Sequence, residues 1–365
     1  MPTGRGAGRM SRGDSFSRQL LAWWDEHGRH DLPWQRDRDP YRIWLAEVML
    51  QQTQVATVIP FFDAFLARFG DVRALAAAAE DDVLHLWSGL GYYARGRNLR
   101  RAARLILERH EGQCPRDLEA LQALPGIGRS TAGAILAQAW GDRHPILDGN
   151  VKRVLARYHA VDGWPGRAAV LRRLWAHADA HTPEARVADY TQAIMDLGAT
   201  LCRGRRPNCG DCPVAAGCAA RALGRQADFP GRKPRRERPL RHTVMLLVED
   251  RERRILLQRR PSEGLWGGLW SLPETESVGS VTDWCLARLG SPPARMQTLP
   301  AVRHGFTHFE LEVRPVLVEM PQSGLVMEGD GWLWYNGDPA ERLGLAAVVS
   351  RLLRSRDPQV MGEIE

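Results

Sequence analysis

The sequence predicts a two-domain protein, an all-α domain followed by an α+β domain. Apolar residues recur at helical spacing across residues 16–221, with almost no alternating β-branched runs. After a segment rich in Pro, Gly and Arg, short alternating strand-like runs appear. We therefore predict a disordered tail over residues 1–14, a helical domain over 15–222, a linker over 223–240 and a second domain over 241–361.

Composition limits the possible classes of protein. The 365 residues are 44% hydrophobic and 25% charged, which excludes disorder as the main state and suits about two domains. No run approaches the roughly 18 apolar residues of a membrane helix, and the N-terminus lacks a signal sequence, so we expect a cytoplasmic protein without membrane contact. The net charge of +7 suits a polyanionic partner such as nucleic acid.

A single acid, Glu47, lies in the mostly apolar run of residues 41–50, which we predict to be helical. Ile43 and Trp44 precede it by one turn. Burial favours the protonated form of a carboxyl group, as a general acid requires. Alternatively, Glu47 lies on a solvated helix face with Gln51 and Gln54.

Two glycines, Gly126 and Gly128, lie between helical patterns that end near Leu124 and begin at Thr131. Pro125 ends the first helix, and both glycines can adopt a positive φ that exposes backbone amides to phosphate. The alternative is an ordinary helix-helix turn. The pattern resembles the helix-hairpin-helix element that clamps the DNA backbone.

A second acid, Asp148, precedes a helical pattern that includes Val151, Val154 and Leu155. It could be a functional carboxylate or simply the helix N-cap. The sequence does not establish that Asp148 and Glu47 meet in space.

Four cysteines fall within seventeen residues at C-x6-C-x2-C-x5-C spacing. In a reducing compartment this indicates metal ligation rather than disulfides. Four thiolates fit zinc or a [4Fe-4S] cluster, and the unequal spacing favours the cluster, with a structural role as the simplest interpretation. The predicted ligands are Cys202, Cys209, Cys212 and Cys218.

The Pro, Gly and Arg content of the linker predicts that it buries no core. In the second domain we predict a β-hairpin from residues 242–249 and 254–258, then strands at 309–313, 316–319 and 332–335. Helices are predicted near residues 281–289 and 339–353.

Several motifs together resemble one family of DNA glycosylases. They are WLAEVMLQQTQV around Glu47, GLGYYARGRNL at 89–99, LPGIGRSTA at 124–132, LDGNVKRV at 147–154, MDLGATLC at 195–202 and the cysteine spacing. They resemble the helix-hairpin-helix, endonuclease III-like superfamily and, within it, the MutY-type adenine DNA glycosylases.

The resemblance implies a base excision repair enzyme that flips out adenine mispaired with 8-oxoguanine or guanine and hydrolyses its N-glycosidic bond. It implies that Glu47 protonates adenine N7 and that Asp148 stabilises the oxocarbenium-like sugar. It further implies a [4Fe-4S] cofactor, a double-stranded DNA partner and a monomer. The remaining implied residues are Asn150 and Ser130 supporting catalysis, Trp34 and Gln192 in the adenine pocket, and Gln52, Tyr92, Gly126, Gly128 and Arg129 on DNA.

Bifunctional relatives carry a lysine nucleophile at the position of Ser130. A hydroxyl there forms no Schiff base, so we expect a monofunctional glycosylase with at most slow cleavage through Lys152.

The second domain resembles a Nudix fold in which the metal-binding carboxylates are missing. Thr282, Asp283, Leu286 and Ala287 stand where those acids would fall. The resemblance implies a domain that recognises 8-oxoguanine. The implied contacts are Phe306, Thr307, which replaces the more usual serine, and His308; edge-strand packing is the alternative for Phe306 and His308.

Two other functions remain open from the sequence. One is a bifunctional pyrimidine-lesion glycosylase with lyase activity, and the other is a non-catalytic Fe-S protein that binds DNA. Ser130 and the Nudix-like domain disfavour the first, and the pair Glu47 and Asp148 disfavours the second.

Overall fold

The structure, a computed structural model, describes residues 12–234, 237–306, 308–321, 331–337 and 342–354. These residues form two compact units. The first combines the chain up to residue 76 with residues 101–234, and the second combines residues 77–100 with the described residues from 237 onward. The predicted domain boundaries did not anticipate that residues 77–100 group with the C-terminal part.

Apolar spacing predicted the helical character of residues 16–221 as a whole and several of the individual helices. They are α1 (Arg12–His27), α2 (Pro40–Leu50), α3 (Val55–Arg68), α4 (Val72–Ala77), α5 (Glu80–Leu86), α6 (Ala94–Arg109), α7 (Leu118–Gln122), α8 (Arg129–Trp140), α9 (Gly149–Tyr158), α10 (Ala168–His181), α11 (Val187–Thr200), α12 (Ala219–Ala222), α13 (Val281–Leu289) and α14 (Ala347–Arg354).

The first unit is helical, as predicted. Helix α2 packs against α3 and α8, while α11 packs against α1, α8 and α9. Phe16, Leu155 and Ile194 belong to its core. Helix α1 begins at Arg12, so it includes the last three residues of the predicted tail; residues 1–11 lie outside the described part of the chain.

The prediction that the linker buries no core is wrong for its first half. Phe229 is 2% exposed and belongs to the core of the helical unit. Its carbonyl accepts a hydrogen bond from the buried Arg157 guanidinium at 3.0 Å. One aromatic side chain is sufficient to fix a segment whose composition is otherwise that of a linker.

The second unit contains a mixed sheet. Its strands are β1 (Leu240–Glu249), β2 (Ile255–Arg259), β3 (Trp270–Ser271), β4 (Glu274–Thr275), β5 (Arg295–Thr298), β6 (Val302–Gly305), β7 (Glu310–Glu319) and β8 (Trp332–Tyr335). The order along the main path is β3-β2-β1-β7-β5, with β1 and β7 parallel. The predicted hairpin of β1 and β2 is confirmed.

Strand β7 replaces the two strands that the sequence predicts on either side of Pro315. β7 pairs with β6 up to Val313 and with β5 from Val316. Pro315 therefore lies where the partner changes, and its missing N–H removes no ladder hydrogen bond on that side. The short strands β3 to β6 were not predicted.

Residues 77–100 are held within the second unit by side-chain contacts. Tyr93 donates its hydroxyl to the Leu345 carbonyl at 3.1 Å, and Arg97 donates to the Gly267 carbonyl. Asp81 forms an ion pair with Arg259 at 3.2 Å.

No helix in the described ranges is both long and apolar enough to cross a membrane.

Candidate active site

Glu47 lies on α2, whose start is fixed by Pro40 in the first turn and by the Asp39 side chain, which accepts a hydrogen bond from the Arg42 amide. The neighbours of Glu47 on this helix are buried.

Glu47 Oε1 accepts a hydrogen bond from Gln138 Nε2 at 2.7 Å. Burial, opposed by the hydrogen bond from the Gln138 amide and assisted by the charge of Asp148, raises the pKa of the Glu47 carboxyl to about 7. The carboxyl is therefore suited to carry a proton at neutral pH, and its bond to the buried Gln138 disfavours the alternative of a solvated helix face.

Asp148 is the N-cap of α9, as the structural alternative predicted. Its side chain accepts hydrogen bonds from the Val151 amide at 2.7 Å and from Asn150 Nδ2 at 3.1 Å. Burial raises the pKa of Asp148, whereas these donors and the nearby Arg153 charge lower it. The cap does not exclude a functional role, because the same carboxylate acts electrostatically on Glu47.

A chain of hydrogen bonds joins Asp148 to the cysteine loop. Asn150 Oδ1 accepts from the Arg153 guanidinium at 2.7 Å, and Arg153 Nε donates to the Cys202 carbonyl at 2.8 Å. Arg153 also donates to the Gly198 carbonyl at 2.6 Å. The position of the carboxylate is thus coupled to the backbone of the first cysteine.

Ser130, at the start of α8, accepts a hydrogen bond from the Leu147 amide at 2.9 Å. Its hydroxyl therefore anchors the residue that precedes Asp148.

A half-open cavity of about 180 Å³ in the helical unit is lined in part by Trp34, Gln192, Gln138 and Ile43. The structure thus brings the two predicted adenine-pocket residues together with the partner of Glu47. Trp34 is 2% exposed and packs edge-on against Phe62. A concave site lined by aromatic and aliphatic side chains with a few amide groups is typical of a small-molecule site.

Gln192 is held by the buried Asp196. Gln192 Nε2 donates to the Asp196 carboxylate at 2.8 Å, and the Trp24 indole donates at 3.1 Å. The Arg29 amide and its guanidinium Nε each donate to Asp196 at 2.9 Å. These charge-assisted bonds fix the wall of the cavity.

The hairpin between α7 and α8 contains one glycine with a positive φ and one with an extended backbone. Gly126 has a φ of +83°, as predicted, whereas Gly128 is the extended N-cap of α8 with a φ of −92°. The prediction that both glycines turn the chain through a positive φ is therefore wrong for Gly128. Gln51 Nε2 donates to the Gly126 carbonyl at 3.2 Å and ties the hairpin to the end of α2. The Arg129 guanidinium lies 4.0 Å from the centre of the Trp175 ring.

The four predicted cysteine ligands line one cavity in the helical unit. In the described residues, no three His, Cys, Asp or Glu side chains converge closely enough to hold a single metal ion. The four cysteines thus share one cavity, while the described residues hold no set of side chains arranged around a single metal ion. The cysteines themselves are all free thiols.

Two of the residues that the resemblance places on DNA have a strained backbone. Gln52 in the helical unit is exposed with a φ of +61°. Tyr92 in the second unit has a φ of +49°, and its side chain is 49% exposed. A positive φ at such residues costs about 1–3 kcal/mol and often marks a functional site.

Phe306 follows β6 and His308 precedes β7 in the second unit; Thr307 lies outside the described residues. The Phe306 amide donates to the Phe309 carbonyl at 2.9 Å, and the two rings stack with centroids 4.6 Å apart. Phe306 also packs against Trp266. His308 is exposed, so packing accounts for Phe306 but not for His308.

The sequence reasoning missed Gln138, Asp196 and Arg29. Gln138 is an isolated amide in the otherwise apolar AGAILAQAW run, which was a usable signal. Asp196 and Arg29 are far apart in sequence, and no local pattern links them.

Comparison with known proteins matches both units to families. Residues 45–179 match the HhH-GPD superfamily of base excision DNA repair proteins, and residues 243–355 match the NUDIX domain. The adenine DNA glycosylase of Buchnera aphidicola subsp. Acyrthosiphon pisum (strain APS) is 33% identical, over 93% of this chain and 97% of its own length. The human adenine DNA glycosylase is 35% identical, over 86% of this chain and 67% of its own. A solved thermostable thymine-DNA glycosylase is 26% identical with a TM-score of 0.53, and the match covers 58% of this chain and 97% of that one.

The helical unit and its family match define the class of protein: it is a DNA glycosylase of base excision repair. More narrowly, the identity with full-length relatives shows that the chain belongs to the adenine DNA glycosylase family.

Proposed function

We propose that this enzyme excises adenine opposite 8-oxoguanine or guanine and that it has no active lyase step. The observation that carries the proposal is the enclosed Glu47 carboxyl, which interacts with Asp148 and is bonded to a residue that lines a base-sized cavity. Trp34 and Gln192 are the residues we assign to contact with the flipped base.

In the reaction, Glu47 donates its proton to N7 of adenine while the bond from sugar C1′ to N9 breaks and its electron pair stays with the base. The leaving group is then neutral, which lowers the barrier. Asp148, ionised and held by Val151 and Asn150, stabilises the positive charge that develops on the sugar. The Glu47 carboxylate then accepts a proton from the water that adds to C1′.

Ser130 supports the absence of an active lyase step. Its hydroxyl is engaged with the Leu147 amide and offers no amine for a Schiff base. Lys152, on the first turn of α9, is the amine from which we expect incidental cleavage.

We assign a [4Fe-4S] cluster to Cys202, Cys209, Cys212 and Cys218, because all four line one cavity and their spacing suits a cluster better than a zinc site. When bound, the cluster would supply cross-linking of the Arg-rich loop rather than reaction chemistry.

We assign recognition of 8-oxoguanine to Phe306, Thr307, His308, Tyr92 and Gln52. We further propose that the enzyme works as a monomer, in the cytoplasm, on chromosomal DNA, with Gly126, Gly128 and Arg129 on the phosphate backbone.

The test is single-turnover incubation with labelled duplexes that carry adenine opposite 8-oxoguanine, guanine or thymine. We expect strand cleavage only after hot alkali, fastest opposite 8-oxoguanine. Equal rates on all three duplexes would contradict the reader assignment. Cleavage without alkali that persists in Lys152→Ala would indicate a lyase, and no base release from any duplex would contradict the proposal as a whole.

A further inference from the structure

We propose that Gln138 is a positioning residue that holds the Glu47 carboxyl in one orientation and leaves Oε2 as the oxygen that carries the transferable proton. The inference rests on the proposed function, in which Glu47 is the general acid.

Gln138 occupies a position where an amide is costly. Its neighbours on α8, Ile135, Leu136 and Ala137, are buried, and Gln138 itself is 6% exposed. A buried amide without hydrogen bonds destabilises a protein by about 1–3 kcal/mol. The structure compensates this cost with the 2.7 Å bond from Gln138 Nε2 to Glu47 Oε1.

This bond distinguishes the two oxygens of Glu47. An amide N–H only donates, so Glu47 Oε1 acts as the acceptor. The single proton of the neutral acid therefore resides on Oε2. Without Gln138 the two oxygens would be equivalent, and the carboxyl would lose the partner that fixes its rotation.

The same bond affects the ionisation of Glu47. Donation to Oε1 favours the carboxylate and lowers the pKa, against burial and against Asp148, which is the charged group that acts on Glu47 from the start of α9. Gln138 thus limits how far burial raises the pKa of the acid.

The test compares the wild-type enzyme with Gln138→Met, which keeps the length and volume of the side chain but removes the donor. We expect the alkaline limb of the single-turnover pH profile to move up by about one pH unit. We also expect the plateau rate constant to fall about tenfold. The matched control is Gln122→Met on α7, where an exposed Gln bonds only its own helix; its profile should equal the wild-type profile.

A second readout does not require turnover. The infrared carbonyl band of protonated Glu47, identified by its absence in Glu47→Gln, can be titrated in the free enzyme. We expect the band to persist to higher pH in Gln138→Met. An unchanged band midpoint, or a slower reaction with an unchanged pH profile, would mean that Gln138 only fills space and would overturn the inference. A wild-type enzyme that releases no adenine would instead contradict the proposed function, while the infrared titration still tests the bond to Glu47.

Discussion

At the scale of single residues, the proposed reaction gives Glu47 and Asp148 different roles, and their surroundings differ accordingly. Both residues are half-buried, and the burial of their carboxyl groups is the largest cause that raises the pKa of each. The Asp148 carboxylate accepts hydrogen bonds from the Val151 amide and from Asn150 Nδ2. The Glu47 carboxyl accepts one from Gln138 Nε2. The more extensive hydrogen bonding favours ionisation of Asp148 while Glu47 stays protonated.

The pH dependence of base release follows from this difference. In the proposed reaction the protonated form of Glu47 is the active one. Because the pKa of Glu47 is raised to about 7, we expect the single-turnover rate constant to be highest below pH 7 and to fall about tenfold per unit above it. Rate constants measured from pH 5 to 9 check this. Glu47→Gln should abolish base release at every pH, and a rate constant that rises through pH 7 would exclude Glu47 as the acid.

Asn150 provides a second test at this scale. Asn150→Ala removes a donor to Asp148 and the acceptor of Arg153. We expect the rate constant for base release to fall about 10- to 100-fold while DNA affinity changes little, because the lost bond stabilises the ionised carboxylate. Single-turnover kinetics and binding to an uncleavable duplex measure the two quantities. A wild-type rate constant would show that the Val151 amide alone is sufficient to hold Asp148.

At the scale of elements, the active site depends on the close approach of α9 and α11. A Cβ atom at Gly198 would lie 2.6 Å from Asn150 Cβ and 3.0 Å from the α9 backbone. Glycine at this position therefore allows α11 to contact the turn of α9 that follows Asp148. The glycine of the MDLGATLC motif is therefore needed for the packing of α11 against α9.

Gly198→Ala should consequently lower the free energy of unfolding by about 1–3 kcal/mol, because rigid backbone must move. It should also slow base release by displacing Asn150. Gly149→Ala is the matched control: it lies on α9 with no atom within 4 Å of its Cβ position, so its unfolding midpoint should equal or exceed the wild-type midpoint. Urea unfolding of both variants decides the question, and two equal midpoints would contradict the packing argument.

Local chemistry made many elements predictable. The helix around Glu47, the N-cap at Asp148 and the hairpin of β1 and β2 follow from spacing and cap residues that act within a few positions. The single strand through Pro315 could not be predicted in this way, because whether a proline is tolerated inside a strand depends on which strands pair on each side. The bond from Gln138 to Glu47 joins residues 91 positions apart, and such contacts depend on tertiary packing.

At the scale of the whole molecule, chain order and compact units do not coincide. Residues 77–100 interrupt the helical unit in sequence but belong to the second unit, which also contains the NUDIX match. Sequence periodicity marks α5 and α6 as helical and gives no information on which core they join. Tyr92 therefore lies in the same unit as Phe306 and His308, whereas Gln52, which we also assign to 8-oxoguanine, lies in the helical unit.

This organisation predicts the effect of ending the chain after residue 235. Leu84 and Trp87 are buried, and Leu84 lies against Gly344. The truncated chain would also lose the bonds from Tyr93 to Leu345 and from Arg97 to Gly267. We expect the backbone amides of residues 77–100 to exchange at least about tenfold faster in the truncated chain, because their packing partners are gone.

Hydrogen exchange followed by mass spectrometry measures this for both chains. Peptides from α8, α9 and α11 are the internal control and should exchange at the same rate in each, because these helices pack against one another within the first unit. Full protection of residues 77–100 in the truncated chain would contradict their assignment to the second unit. Faster exchange of residues 77–100, with unchanged exchange of α8, α9 and α11, would mean that the rest of the second unit orders the segment that carries Tyr92. Truncation should then weaken discrimination of 8-oxoguanine more than Tyr92→Ala does alone.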